Sequence, residues 1–291
     1  MERKRKPGDR RDGVLLRDLD SMHFIVPLIH PNRCDNEAFI SERIDLEKLN
    51  AYLEEKNANN PEYRYNLFQA IVTAVLKTIM LRPKLNRFIV NGNTYARNEL
   101  TAAFVIKKIF TDESEEGLAI IHAKQTDTID TIHDEIYRRV SYCRKDNQKD
   151  GSTESMDLLN KMPRFFAKFL VRLVRILDRY GMVPKSLISS DPYYATVVLS
   201  NLGSIRLKAG YHHLVNWGTN SVFVTIGEKK IRPFYDAQGN MTMHDSVDLG
   251  LTIDERLADG YYYSKTIRLL KTILENPALL ERPMGEEVEV S

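Results

Sequence analysis

Asp254-Glu-Arg-Leu-Ala-Asp259-Gly260 is the stretch that decides this sequence: a short charged turn between a strand over Thr242–Ile253 and a final helix over Gly260–Leu274. About fifty residues upstream, Ser200-Asn-Leu-Gly203 closes a β-rich run, Ala195–Leu199, and Ser221–Ile226 reads as the next strand. Both pieces place polar side chains where a strand gives way to a turn, the position on which binding and catalytic groups most often sit.

Outward from these two turns, strands and helices alternate. A strand begins at Phe39, and Ile44-Asp45-Leu46 leads into a helix through Leu53. A longer helix from about Tyr65 to Met80 carries apolar residues at Leu67, Ile71, Ala74, Val75 and Ile79, and Pro83 stops it. Arg87-Phe-Ile-Val followed by Asn91-Gly92 signals a hairpin, with a further strand near Ala102–Ile106. Leu118–Ile121 reads as a strand, Thr128–Tyr142 as a charged helix and Lys145–Ser155 as a loop. There are too few β-α-β units for a doubly wound sheet, so the expected fold is a mixed-sheet, two-layer α/β sandwich. It is expected over residues 20–282, between a basic flexible tail at 1–19 and an acidic tail at 283–291.

Composition narrows the function classes. With 43% hydrophobic and 28% charged residues among 291, disorder, collagen and coiled coil are excluded. Forty-two basic against forty acidic side chains leave +2, too little to make nucleic acid the expected partner. Cys34 and Cys143 stand apart, which suits a reducing compartment. The most apolar stretch, Tyr65–Leu81, holds Asn66, Gln69, Thr73 and Lys77, short of the about 20 apolar residues a spanning helix needs. The charged amino terminus has no apolar segment behind it, so no secretory signal is read and a cytoplasmic protein is expected.

The helix at 163–180 is strongly two-sided. At about 100° per residue, Arg164, Lys168, Arg172, Arg175 and Arg179 share one narrow arc, and apolar residues cover the rest. It reads as a sheet-packed helix with a basic outer face, as a weak membrane-surface contact, or as a seat for an anionic ligand such as a nucleotide phosphate.

Nucleotide, metalloprotease and serine-hydrolase signatures are absent. His30 and Cys34 have i, i+4 spacing, but Pro31 opposes a helix there, so no metal site is expected. What remains resembles the catalytic domain of the 2-oxoacid dehydrogenase acyltransferases (the E2 components) and chloramphenicol acetyltransferase. That family carries a strand ending in Ser-Asn-Leu-Gly and, fifty to sixty residues later, Asp-His-Arg-x-x-Asp-Gly before a helix. Here Ser200–Gly203 and then Asp254, Arg256, Asp259 and Gly260 stand at the matching places. The segment at 44–49, the helix at 65–80 and the Asn-Gly hairpin follow the family's order, so the resemblance spans roughly residues 20–280.

The resemblance implies a chloramphenicol acetyltransferase-like fold, a homotrimer with active sites between subunits, and acyl transfer between acyl-CoA and a small-molecule acceptor. It also implies a histidine as base on the thiol of coenzyme A or dihydrolipoamide, and a structural aspartate, here Asp259. Ser200 becomes the candidate hydroxyl for the oxyanion, with Asn201, Gly203, Arg256 and Thr219 as substrate-binding candidates. No metal is expected. About twenty residues precede the domain and none reads as a lipoyl module, so no covalently bound lipoate is expected in this chain, and a free-standing acyltransferase is the economical reading.

One position departs from the family. Glu255 stands where the histidine should be, and a carboxylate near pKa of about 4.3 is a poor base for a thiol near about 8.5. Three readings are open: desolvation raises the Glu255 pKa enough for it to recover part of the base's role, Glu255 pairs with Arg256 or another base and does no chemistry, or the imidazole has moved. His212 and His213 are the candidates, with Glu255 orienting one of them; being adjacent in extended chain, at most one faces the site. The alternatives are an acyltransferase with a rearranged base, and a catalytically silent trimeric acyl-CoA-binding or scaffold protein.

Overall fold

Asn66 and Gln69 start the central helix by capping each other: the Gln69 amide donates to Asn66 Oδ1 (3.1 Å) and the Asn66 amide to Gln69 Oε1 (2.9 Å). The helix, α3 (Leu67–Leu81), is buried without a break from Gln69 to Ile79, so its polar residues need internal partners. They have them. Thr73 donates back to the Gln69 carbonyl, and Lys77 Nζ donates to the carbonyls of Leu279, Arg282 and Pro283 at 2.9–3.0 Å. The polar stripe that rules out a bilayer span thus anchors the carboxy-terminal segment.

The computed structural model describes residues 5–107, 116–144, 157 and 159–289. A seven-stranded mixed sheet runs in the order β2 (Glu37–Asp45), β10 (Met241–Asp254), β8 (Val222–Ile226), β7 (Val197–Asn201), β5 (Leu100–Lys107) and β6 (Glu116–Ala123), with β9 (Lys230–Tyr235) pairing the first half of β10. The β5–β7 and β7–β8 pairs are parallel and the others antiparallel. One face carries the main core against α2 (Glu47–Lys56), α3, α4 (Ile129–Arg144) and α7 (Gly260–Glu275). Alternate residues, Ala103, Val198 and Phe223, point to the opposite face, where Leu214 covers them. A small sheet, β1 (Gly13–Leu15), β4 (Asn93–Arg97) and β3 (Arg87–Val90), completes the two-layer mixed α/β architecture. Its hairpin turns through Asn91 and Gly92, both at positive φ, as the Asn-Gly signal requires.

The two expected tails need correction. Arg10 is buried, bonded to Asp12 (2.9 Å) and Asp178 (2.8 Å), and Gly13–Leu15 is a strand on β4, so the basic segment is built into the fold from Asp9 onward. At the other end Met284 is buried and its amide donates to the Asp127 carbonyl (2.8 Å), so 283–285 belongs to the body as well. The charge in both segments hid these contacts. Also unforeseen are α1 (Ser21–Ile29), where Pro27 masks a helix capped by Asp20, a short α6 (Lys185–Ser190), and β9, which runs through Pro233. The helix expected at 163–180 is α5 (Arg164–Arg179), and none of its residues is buried. The loop expected at 145–155 lies outside the described residues.

Candidate functional site

The end of β10 is held by charge. Asp254 is fully buried, and Arg256 grips its carboxylate in a two-pronged contact, Nε to Oδ1 and Nη2 to Oδ2, both 2.7 Å. Arg256 Nη1 continues to the carbonyls of His30 (2.8 Å) and Pro31 (3.2 Å). Arg33 is buried beside them, its Nε 3.9 Å from Asp254, and donates to the carbonyls of Val215 (2.7 Å) and Gly218 (3.0 Å). Two guanidiniums around one carboxylate leave a surplus positive charge, and desolvation pushes the Arg33 guanidinium below its ordinary value. The clamp ties residues 30–33, 215–218 and 254–256 together. Tyr263 adds a bond from its hydroxyl to the Asp254 carbonyl (2.8 Å).

Glu255, next in the chain, is treated oppositely. Its amide donates to the Asn36 carbonyl (3.0 Å), but its side chain is exposed and makes no hydrogen bond or ion pair among the described residues. Asp259 caps α7, accepting from the Tyr262 amide at 2.7 Å, and that bond holds its carboxyl below the usual range. Gly260 is the first residue of α7.

At the other motif, Ser200 lies opposite Thr225 in the parallel β7–β8 pair, half-buried, and its hydroxyl has no hydrogen-bond partner among the described residues. Asn201 is exposed. Gly203 is required by a close approach: a Cβ there would stand 2.6 Å from the Gly227 carbonyl oxygen.

The chain then crosses the outer face of the sheet. A Cβ at Gly250 would meet the Gly210 carbonyl oxygen at 2.1 Å, so the crossing chain rests directly on β10. Tyr211 packs on Phe39 and His212 stacks on Phe223 (ring centroids 4.2 Å). His213 Nδ1 lies 3.1 Å from Glu37 Oε2, and the other Glu37 oxygen accepts the Leu214 amide. The Glu37 side chain is only 3% exposed whereas that of His213 is 80% exposed. The carboxylate that holds a histidine of this pair is therefore Glu37, and neither histidine is hydrogen-bonded to Glu255. Glu37 was not a sequence candidate: it lies 176 residues from its partner in the chain. In the sheet it is the register partner of Asp254, so the pair sits one residue from Glu255.

Thr219 is withdrawn from solvent. Its hydroxyl and carbonyl both accept from Arg97, whose guanidinium is buried without a carboxylate among the described residues and is pushed down to about 9 by desolvation. Arg97 also lines a cavity of about 800 Å³ beside β1, α6 and β6, together with Arg10, Glu99, His122 and Lys185. None of the sequence-predicted site residues lines it. Asp45, Glu47 and His244 come within ligand distance of one another, but each ring nitrogen faces a carboxylate, at 2.7 and 3.6 Å, as for an imidazolium between two anions.

Residues 184–281, which hold both motifs, match the family of 2-oxoacid dehydrogenases acyltransferase (catalytic domain). No curated protein matches the sequence. Among solved structures, the chain is similar to a probable dihydrolipoamide acetyltransferase from Listeria monocytogenes (14% identity, 98% of this chain and 100% of that one, TM-score 0.57). It is also similar to a dihydrolipoamide acetyltransferase from Azotobacter vinelandii, studied for a serine, a histidine and an asparagine in its catalytic mechanism (12%, 92% and 94%, 0.59), and to a chloramphenicol acetyltransferase (13%, 90% and 99%, 0.55). The fold is that of these acyltransferase cores.

Proposed function

We propose that this chain, built on the fold of the 2-oxoacid dehydrogenase acyltransferase cores, transfers an acyl group from acyl-CoA to a small-molecule acceptor with His213 as general base. The observation that carries the reading is the His213–Glu37 pair. With Nδ1 donating to a carboxylate that is itself buried and anchored by the Leu214 amide, the basic nitrogen is Nε2, on an exposed ring. Such an imidazole takes the proton of an acceptor thiol or hydroxyl as that atom attacks the thioester carbonyl. The tetrahedral oxyanion then collapses, the C–S bond breaks, and the imidazolium returns the proton to the departing thiolate of coenzyme A. The unpartnered Ser200 hydroxyl is the candidate donor to the oxyanion, and Asp259 fixes the turn.

A homotrimer fits the same reading. α1 exposes Met22, Phe24, Ile25, Leu28 and Ile29 on a helix that touches the 255–257 turn, so a second copy seated there would lie beside the site. The exposed, unpaired Glu255 favours a second reading, a silent acyl-CoA-binding scaffold.

The test is free-thiol release from acetyl-CoA and longer acyl-CoAs, alone and with hydroxyl, amine and dithiol acceptors. Acceptor-dependent release that falls with His213→Gln supports the enzyme. Saturable acyl-CoA binding without release, unchanged in His213→Gln, supports the scaffold instead.

A further inference from the structure

Helix α5 is the one long helix of the described chain with no buried residue, whereas α4, of the same length, buries Ile129, Ile132, His133, Ile136 and Cys143. Its side chains divide into three strips at about 100° per residue. Ala167, Leu170, Val171, Val174, Leu177 and Asp178 are half-sheltered and face the body. Phe165, Phe166, Phe169, Leu173, Ile176 and Tyr180 form a second strip about 100° wide, all exposed, with Phe165 at 76% and Tyr180 at 66%. The third strip, about 80° wide and directly beside the second, is Arg164, Lys168, Arg172, Arg175 and Arg179. The single acid, Asp178, is turned inward and bonded to Arg10 (2.8 Å), which also pins the end of the helix to the small sheet.

We infer that α5 is an interfacial helix that seats the protein on an anionic lipid bilayer. Lying in the interface plane with the second strip inward, it would sink three phenylalanines, a leucine and an isoleucine to the acyl boundary. The five cations then stand along one flank at the level of lipid phosphates, and their long stems allow them to reach that level. The body of the protein lies on the side away from the lipid. Charge selects this occupant over a second copy of the chain: five cations without an exposed acid between them demand an anionic surface. The apolar face of α1 has no such basic flank, and it is the one that suits a homotypic seam. Among the described residues no helix is long and apolar enough to cross a membrane, so the contact is peripheral. This inference is independent of the acyl-transfer reading and survives its failure.

The experiment is sedimentation of the full chain with vesicles of phosphatidylcholine alone and of phosphatidylcholine mixed with phosphatidylglycerol. Binding is expected only to the mixed vesicles and is expected to weaken in high salt. Arg172→Glu with Arg175→Glu should reduce it by at least about 30-fold, the loss of two lipid-facing cations at about fivefold each, before the repulsion of the two new carboxylates is added. Phe165→Ser with Phe169→Ser should abolish it while leaving the melting temperature unchanged, since neither residue is buried. The inference is overturned if mixed vesicles are not bound, or if either double variant binds like the parent. Loss on charge reversal with retention in the serine variant would mean a simple anion-binding face. A native mass that drops in the serine variant, with no vesicle binding, would assign the strip to a second copy.

Discussion

Asp254 and Glu37 face each other across adjacent strands, and the fold uses these two carboxylates in opposite ways. Both are removed from water, at 0% and 3% side-chain exposure. Asp254 is gripped by Arg256, itself buried and bonded onward to two carbonyls, so its carboxylate is paired entirely inside the protein. Glu37 is bonded to one backbone amide and to one imidazole whose far side is in solvent. A carboxylate with buried partners holds chain segments together. A carboxylate with a buried amide on one side and an exposed histidine on the other orients a group that can exchange protons. The contrast is between a clamp and a presented imidazole, and each expected effect below sharpens it or breaks it.

The largest effect belongs to the clamp. Asp254→Asn leaves two buried guanidiniums, Arg33 and Arg256, without a counter-charge, and breaking a buried pair by removing one partner costs about 3–5 kcal/mol. Denaturant unfolding should show that loss. Unchanged stability would mean the guanidiniums are satisfied by their carbonyl partners alone, and the clamp would not be a clamp. On the other side of the comparison, His213→Gln should lower acceptor-dependent thiol release by about 10²–10⁴-fold, the usual worth of a general base. Its unfolding midpoint should stay put, because the ring is exposed. Activity that persists would move the base elsewhere.

Glu37→Gln comes next. The amide still accepts the Leu214 N–H but no longer stabilises an imidazolium, so a drop of roughly 10–100-fold is expected, the range for removing a group that orients another. A fall in kcat with an unchanged unfolding midpoint separates this from structural damage.

A second histidine–carboxylate pair serves as the control. His244 lies 2.7 Å from Asp45, which raises its pKa, and Glu47 faces its other nitrogen at 3.6 Å, so this ring has no free side from which to act as a base. Its folded value stands above the unfolded value of about 6.5. Its small contribution to stability is therefore fully present below that pH and lost as pH rises through the folded value. His244→Gln should lower the unfolding midpoint slightly at pH 5.5, not at pH 9, and leave turnover alone at both. A pH-independent loss would show that the ring matters through packing on Phe234 rather than charge.

What was legible in the sequence follows from range. Local signals survive: the helix that Pro83 stops, the Asn91-Gly92 turn, the helix after Asp259 and the Ser200–Gly203 strand end are all written within a few residues. The partners that give the site its character lie far off. Arg33 meets Asp254, and Glu37 meets His213, only because β2 lies on β10 and the 206–220 segment folds back over the sheet. The sequence points to the histidine pair but not to the acid that holds one of them. Charge misled at both ends, since Arg10 and residues 283–285 read as parts of solvated tails yet are bonded into the body. In α5 an apolar face reads as a packed one, although periodicity reports a face and never what covers it.

The smallest expected effect is at Glu255, and it is the one that decides how the departure from the family pattern should be understood. Its carboxylate has no partner among the described residues, so Glu255→Gln removes no bond, and an exposed substitution of this kind usually changes stability by no more than about 0.5 kcal/mol. If His213 held by Glu37 is the base, turnover should also stay within about threefold, since a solvated charge at the edge of the site adds little across water. A loss as large as that of His213→Gln would reverse the assignment: it would mean that Glu255 closes on the imidazole once a facing subunit or an acyl thioester fills the site. Glu255→His completes the test. If it raises turnover while His213→Gln becomes harmless in the same background, the base has returned to the end of β10, and the histidine pair on the sheet acts only in the absence of the family's own imidazole.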